Sequence, residues 1–207
     1  MTDTPFTPKL WTPRSVDETK EVYAQWADTY EEDVQALAYA TPARIAAALR
    51  EVGAPDGPIL DFGCGTGLSG LALRQAGFGP VDGTDISPEM LARAETKTHD
   101  GAPLYRTLTL GAPGQLSAHP WDYKVVVATG VVSLGAAPPE TLDMLLEALE
   151  PGGLLAFSYN DPTLDAPAYL DALDRALQNG AEQLFREHGP HLSEKVTGAD
   201  VIVLRRT

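Results

Sequence analysis

Cysteine, basic residues and long apolar runs are scarce in this chain of 207 residues, and each scarcity excludes a class of protein. The single cysteine, Cys64, excludes an internal disulfide framework and fits a reducing compartment. No apolar run approaches the ~18 residues that span a bilayer. Residues 1–14 lack the apolar core of a secretory signal. These absences predict a cytoplasmic protein.

The charge balance disfavours polyanionic partners. Asp and Glu number 29 against 15 Lys and Arg, which gives a formal net charge of -14. A protein that grips nucleic acid neutralises phosphates with Lys and Arg, and here the only basic cluster is Arg205-Arg206. We therefore expect no nucleic-acid partner and no membrane partner.

What the chain does have is an apolar share of 43%, enough for a substantial core, and alternating strand and helix patterns. A capping box at Ser15 and Glu18 opens a helix whose apolar stripe includes Tyr23, Trp26 and Tyr30, and a second helix begins at Thr41-Pro42. The remaining patterns predict strands at 58–62, 81–86, 104–110, 124–129, 154–159, 182–187 and 201–205, with helices at 68–76, 139–149 and 168–178. This alternation predicts an α/β, doubly wound, mostly parallel sheet.

Ligands of such sheets bind at the carboxyl ends of the strands. That rule places a glycine-rich loop, Asp85, Thr109, residues 129–131 and Asn160 along one edge of the sheet. We therefore expect a single binding site at this edge.

The glycine loop fits two patterns. Residues 65–70 fit G-x-G-x-x-G, the dinucleotide fingerprint, and Asp85 lies about twenty residues on, where its ribose-binding acid belongs. Residues 61–67, DFGCGTG, also fit D-x-G-x-G-x-G. Asp61 separates the two patterns, because a carboxylate there repels a pyrophosphate and attracts an ammonium or a sulfonium. An adenosine ribose joined to a cationic amino acid is S-adenosylmethionine, so this cofactor is the better fit.

At these residues the chain resembles the class I S-adenosylmethionine-dependent methyltransferases. ILDFGCGTG resembles their first motif and VDGTDISPEML their second, and DYKVVVATGVV and LEALEPGGLLAFS extend the likeness over about residues 20–206. More narrowly, YAQWADTYEEDV and LYRTLTLG are similar to the methyltransferase-like group named after the Williams–Beuren syndrome region. The resemblance implies a Rossmann-like, seven-stranded sheet with N-terminal helices over the cofactor.

The resemblance also implies roles for residues of this chain. Asp61 and the loop glycines would hold the amino-acid half of the cofactor, Asp85 the ribose and Ile86 the adenine. Met90 would lie near the adenine or pack as a helix core residue. Thr109 and Leu110 stand where many members carry an acid for the adenine amino group, so backbone groups or the Thr109 hydroxyl would serve instead. The whole cofactor-binding set is Tyr23, Tyr30, Asp61, Gly63, Gly65, Gly67, Asp85, Ile86, Met90, Thr109, Leu110, Thr129 and Gly130.

No residue is marked as the catalytic base, because methyl transfer needs one only when the nucleophile arrives protonated. Asn160 most simply starts a turn. His188 and His191 flank Gly189-Pro190 and indicate a solvated turn, since no third metal ligand accompanies them. We interpret Cys64 as a small buried residue rather than a nucleophile.

The predicted organisation is a flexible arm at 1–14, N-terminal lid helices at 15–53 and a cofactor-binding methyltransferase domain at 54–207. The expected function is methyl transfer to a small-molecule acceptor, in a pocket lined by the N-terminal aromatics with Val131, Val132 and Leu134. A protein acceptor, a non-catalytic cofactor-binding module and an NAD-dependent oxidoreductase are the alternatives.

Overall fold

The computed structural model describes residues 14–116, 121–194 and 196–207, so residues 1–13 of the predicted arm lie outside the described residues. The helices are α1 Val16–Trp26, α2 Tyr30–Ala36, α3 Thr41–Glu51, α4 Leu68–Gln75, α5 Pro88–Glu95, α6 Thr141–Glu147, α7 Asp161–Leu164 and α8 Pro167–Gln178. The strands are β1 Ile59–Phe62, β2 Val81–Asp85, β3 Thr98–His99, β4 Ala102–Pro103, β5 Thr107–Leu110, β6 Val125–Ala128, β7 Leu154–Asn160, β8 Ala181–Pro190 and β9 Gly198–Arg206.

Seven strands form one sheet in the order β5-β2-β1-β6-β7-β9-β8. The first five run parallel, and β9 is antiparallel to both β7 and β8. The predicted doubly wound, mostly parallel, seven-stranded sheet is confirmed. Strand order reverses beside β1, which leaves the crevice where such sheets bind ligands at the carboxyl ends of β1 and β6.

The central strand β6 shows why the sheet carries helices on both faces. All four of its residues are buried. Val125 and Val127 belong to a core with α3 and α4, whereas Val126 and Ala128 belong to the opposite core with α6 and α8. Alternate side chains of a strand point to opposite faces, so an unbroken apolar run requires cover on both.

The N-terminal region is two helices rather than one. The predicted capping box is present, with the Ser15 hydroxyl accepting from Glu18 N and the Glu18 carboxylate accepting from Ser15 N. The continuous stripe through Tyr30 is wrong, because α1 ends at Trp26 and α2 begins at Tyr30. The Trp26 ring spans the break, since its Nε1 donates to Asp33 Oδ2 at 2.7 Å and its ring packs edge-on against Tyr30.

The predicted third strand, at 104–110, is shorter than expected. Only residues 107–110 form β5. Before them, β3 and β4 form a small separate hairpin that the sequence did not predict, and residues 104–106 connect this hairpin to β5. Tyr105 is buried there and donates its hydroxyl to Asp61, so its apolar pattern reflects burial under the glycine loop.

The predicted lid segment is divided between two packing environments. Ile45 and Leu49 place α3 in the core that also contains α4, whereas α1 and α2 lie outside this core.

Across residues 14–116, 121–194 and 196–207, no helix has both the length and the hydropathy to cross a membrane.

Candidate functional site

A cavity of 480 Å³ lies at the carboxyl ends of β1, β2, β6 and β7, beneath α1 and α2. This is the edge of the sheet where the sequence predicts the site. Of the predicted cofactor-binding residues, those that border the cavity are Tyr23, Tyr30, Gly63, Gly65, Asp85, Ile86, Met90, Thr129 and Gly130. Asp61, Gly67, Thr109 and Leu110 are not among its lining residues.

The glycine loop brings backbone to the cavity wall. Gly65 has a φ of +54°, in the left-handed region, and a Cβ built there would meet nothing within 4 Å. Gly65 also borders the cavity. Gly67 has a different role, since it starts α4 with a φ of +100° and a Cβ there would press on Tyr105 and Leu104.

Asp61 lies directly behind the loop and is fully buried. Its Oδ2 accepts from Ser69 Oγ at 2.6 Å and from Tyr105 Oη at 2.8 Å. Its Oδ1 is buried and has no hydrogen-bond partner within the described residues, although the Gly70 backbone also acts to lower the pKa of this carboxyl. Burial raises the pKa of Asp61 to about 6, opposed by these two donors. An unpartnered carboxylate oxygen is costly, so this atom is a strong reason to expect a cationic donor at the site.

Asp85 ends β2 and faces the cavity with both oxygens already oriented. Its Oδ2 accepts from Gly65 N and its Oδ1 from Ser87 N, each at 2.8 Å. Burial raises the pKa of Asp85, while these backbone donors lower it. Each carboxylate oxygen retains a lone pair, so Asp85 can accept from two neighbouring hydroxyls. Met90, which the sequence left between helix core and ligand contact, is buried and also borders the cavity.

The far wall is made by residues that sequence reasoning missed. Thr109 and Leu110 are exposed at the end of β5, and the lining continues instead through residues 111–115. Gly111 N donates to Asp85 O at 2.8 Å, which holds this loop against β2. The Gly-Ala-Pro-Gly sequence at 111–114 was the available signal, because such a run indicates a loop whose backbone can approach a ligand.

Three tyrosines gather at the other wall. Tyr23, Tyr30 and Tyr39 border the cavity, and burial raises the pKa of each phenol. None of the three hydroxyls makes a hydrogen bond within the described residues, so each is available to a ligand. The Tyr39 hydroxyl lies 3.1 Å from the position a Cβ would take on Gly130, at the end of β6.

Two residues behave differently from the sequence expectation. His191 is buried, 6% exposed, and borders the cavity, so the solvated turn predicted for it is wrong. The backbone of the β8–β9 turn folds back on α3, with Ala40 N donating to His191 O at 2.9 Å. Val132 packs in the core, whereas Val131 and Leu134 line the cavity. Cys64 is buried, as predicted.

The site therefore offers different chemistry to different parts of one ligand. Asp61 suits a cationic group, Asp85 suits a diol, and Ile86 and Met90 give an apolar surface for a flat ring. These features fit S-adenosylmethionine, whose ammonium, ribose and adenine match them in that order along the chain. No group of His, Cys, Asp and Glu within the described residues is arranged to hold a metal ion.

Comparison with known proteins agrees with this geometry. Residues 30–196 match a protein family described as a methyltransferase domain. Methyltransferase-like protein 27 of Homo sapiens is 36% identical over 167 residues, which are 76% of this chain and 65% of that protein. Ribosomal protein L11 methyltransferase of Paraburkholderia phymatum is 30% identical over 50% of this chain and 32% of its own length. The chain thus spans less than two thirds of these relatives.

The fold has a solved counterpart. Magnesium protoporphyrin IX methyltransferase from Synechocystis, whose crystal structure contains bound S-adenosylmethionine, superposes with a TM-score of 0.67. The superposition covers 95% of this chain and 100% of that one, at 20% identity. At this identity the likeness concerns the fold.

Proposed function

The chain belongs to the class I S-adenosylmethionine-dependent methyltransferases, and from that premise we propose that it transfers a methyl group from this cofactor to a small-molecule acceptor. The observation that carries the proposal is Asp61, a fully buried carboxylate behind the glycine loop with one oxygen left unpartnered. The negative charge of this carboxylate, just behind the loop, would attract a cationic ligand and repel a pyrophosphate. The narrower likeness to the Williams–Beuren group is part of this proposal.

We assign the cofactor contacts residue by residue. Asp61 stabilises the ammonium of the methionine half, and the Gly65 backbone lets that half approach closely. Asp85 accepts from the ribose hydroxyls, and the adenine lies between Ile86 and Met90 on one side and residues 111–115 on the other. When bound, the cofactor supplies a methyl group already activated by its sulfonium.

What remains for the protein is alignment and exclusion of water. Tyr23 and Tyr30, from α1 and α2, cover the cavity, so a bound acceptor is held against the loop that follows β6. Methyl transfer is an in-line displacement, and an enclosure that aligns the reactants from two sides favours it without a dedicated base.

The acceptor side of the cavity favours a small and partly apolar molecule. Val131, Leu134 and Met144 line it, and no Lys or Arg occurs among the described lining residues. A cavity of 480 Å³ lies in the range of small-molecule sites. The net charge of -14 disfavours nucleic acid and anionic membranes as partners, and the single cysteine favours a cytoplasmic setting.

A protein acceptor is the second candidate. It is favoured by the likeness to enzymes named for methylating ribosomal protein L11, although this likeness covers only half of the chain. The aromatic cover over the cavity counts against a bulky acceptor, because a protein side chain would need α1 and α2 displaced.

Incubation of the protein with methyl-labelled cofactor and a cell lysate separates these two cases. We expect label in the small-molecule fraction after size separation, and none above background with Asp61→Asn. Label confined to protein bands would overturn the small-molecule proposal and support the second candidate.

A further inference from the structure

His191 is a titratable side chain of the cavity for which the cofactor assignment gives no role. It lies in the turn between β8 and β9, where its N–H donates to Thr197 O and its carbonyl accepts from Ala40 N, each at 2.9 Å. The ring packs edge-on against Tyr39, at 5.2 Å between centroids, and the Tyr39 hydroxyl lies 3.1 Å from the position that a Cβ would take on Gly130. Tyr39 therefore lies between His191 and the loop after β6, which would face the transferred methyl group.

The hydrogen bond of the ring fixes which nitrogen carries the proton. His191 Nδ1 lies 2.7 Å from the hydroxyl of Thr41, at the start of α3, and Thr41 is fully buried. The Thr41 hydroxyl has no other hydrogen-bond partner within the described residues. A buried donor left unpaired costs more than an unused lone pair, so the hydroxyl donates to Nδ1. The ring proton is then on Nε2, which has no partner within the described residues.

The surroundings keep this ring neutral. Burial lowers the pKa of His191 to about 4; Asp161 acts in the opposite direction and Arg44 in the same one. The other groups that face the ring are the Thr41 hydroxyl and the Tyr39 ring. At neutral pH the side chain is thus a neutral donor with a fixed direction.

Asn160 offers a second donor of the same kind. Its Oδ1 accepts from Thr163 N at 3.2 Å and from Thr163 Oγ1 at 2.7 Å, as the N-cap of α7. These bonds assign oxygen and nitrogen of the amide, and they leave Nδ2 without a protein partner in the described residues. Asn160 also borders the cavity.

We propose that His191 is a specificity-determining residue that donates from Nε2 to an uncharged oxygen of the methyl acceptor, with the Asn160 amide as a second donor. The inference rests on the proposed methyl transfer and names its substrate class: a small, partly apolar compound that carries a carbonyl, ether or hydroxyl oxygen. The oxygen is uncharged because no Lys or Arg lines the cavity within the described residues; Arg14, which lies near Tyr23, donates to the Gly135 carbonyl.

The first test is the position of the ring proton. Long-range ¹H–¹⁵N NMR of the protein saturated with S-adenosylhomocysteine, with His191 assigned through His191→Gln, reports it directly. We expect a protonated Nε2 and an unprotonated Nδ1 at neutral pH, and a mixture of the two forms in Thr41→Val. Thr141→Val removes a hydroxyl at another helix start on the cavity and should leave the signal unchanged. A proton on Nδ1 in the wild type would overturn the proposal.

The second test asks whether this donor selects ligands. Acetophenone and ethylbenzene differ by one carbonyl oxygen, and each is titrated into the protein saturated with S-adenosylhomocysteine. We expect acetophenone to bind about tenfold more tightly, the worth of one hydrogen bond. His191→Phe should abolish the difference, and His191→Gln, which keeps a donor at the Nε2 position, should restore part of it. Equal affinities in the wild type, or no binding of either, contradict the inference.

The preceding saturation step keeps the two proposals apart. If S-adenosylhomocysteine itself does not bind, the proposed function fails. If it binds and the acetophenone preference is absent, only the assignment of His191 fails.

Discussion

Gly65 combines two properties at the scale of a single residue: a left-handed backbone and a position on the cavity wall. In Gly65→Ala, the φ of +54° costs about 1 kcal/mol of stability, and under the proposed assignment the new methyl group would occupy space that the cofactor needs. We expect a modest fall in melting temperature together with a loss of S-adenosylhomocysteine affinity of about tenfold or more. Thermal unfolding and calorimetric titration measure the two effects separately.

Gly101 is the matched control for that substitution. Its φ is +76°, a Cβ there also meets nothing within 4 Å, and it lies in the β3–β4 turn away from the cavity lining. Gly101→Ala should therefore lose a similar amount of stability and keep its affinity. Equal losses of affinity in both variants would mean that Gly65 acts through backbone strain alone.

Asp61 makes both stability and affinity depend on pH. Burial raises its pKa from the ordinary 3.8 to about 6, so between these values the folded protein holds a proton that the unfolded chain has released. Stability of the ligand-free protein therefore falls as pH rises from about 4 to 6, by up to about 3 kcal/mol. A cationic ligand reverses the preference, because it stabilises the ionised form.

Cofactor affinity should accordingly weaken as pH falls below about 6, by up to about tenfold per unit. Asp61→Asn retains an oxygen for Ser69 and Tyr105 and removes the charge, so its affinity should be weak and nearly independent of pH. Ser69→Ala removes a donor that favours the ionised form, which raises the pKa of Asp61 and moves the midpoint to higher pH. Titrations across this pH range check all three; an unchanged profile in Asp61→Asn would exclude Asp61 as the titrating group.

At the scale of elements, α1 and α2 form the cover of the site. Lys97, in the segment after α5, pairs with Glu31 of α2 at 2.5 Å. Arg93 of α5 pairs with Asp28, which lies in the segment that joins α1 to α2. Partly exposed ion pairs stabilise by only about 1 kcal/mol or less, so these two pairs can break and let α1 and α2 move to admit a ligand. We propose that α1 and α2 are a lid that S-adenosylhomocysteine holds closed.

The rate of trypsin cleavage after Lys20, in α1, measures how often the lid opens. We expect S-adenosylhomocysteine to slow this cleavage several-fold, and Glu31→Gln to speed it in the free protein but not in the saturated one. Glu32→Gln, one residue away and with no ion pair among the described residues, should behave like the wild type. Equal cleavage rates with and without S-adenosylhomocysteine would contradict the lid.

The elements that sequence reasoning predicted well are those with strong local signals. The apolar run of β6, the capping box of α1 and the glycine loop each carry their own physical cause, and the strand ends then locate the site. The break between α1 and α2 was missed because Tyr23, Trp26 and Tyr30 keep a helical spacing across it. The short β5 was overextended because Leu104 and Tyr105 are buried for a tertiary reason.

At the scale of the whole molecule, contacts between distant parts of the chain were beyond prediction. His191 enters the cavity because the β8–β9 turn meets the start of α3, 150 residues earlier in the chain. Residues 111–115 border the cavity because β5 pairs with β2. The topology of the sheet brings His191 and residues 111–115 to one cavity, whereas the local sequence around each of them predicts only a turn or loop.

The acidic balance is also a property of the whole molecule. The net charge of -14 would favour a cationic ligand, but long-range attraction between exposed charges is screened within about 10 Å at ordinary salt. We therefore propose that selective binding comes from the buried carboxylate of Asp61 and the enclosure around the cavity.

The most direct test of the account is calorimetric titration of S-adenosylmethionine, S-adenosylhomocysteine and NAD into the wild type and Asp61→Asn. We expect both sulfur ligands to bind at about micromolar dissociation constants, near -8 kcal/mol, with NAD silent and Asp61→Asn at least about tenfold weaker. Binding of NAD without the sulfur ligands would mean that the dinucleotide pattern at residues 65–70 was the true signal. It would contradict the assignment of Asp61 to the ammonium of the cofactor.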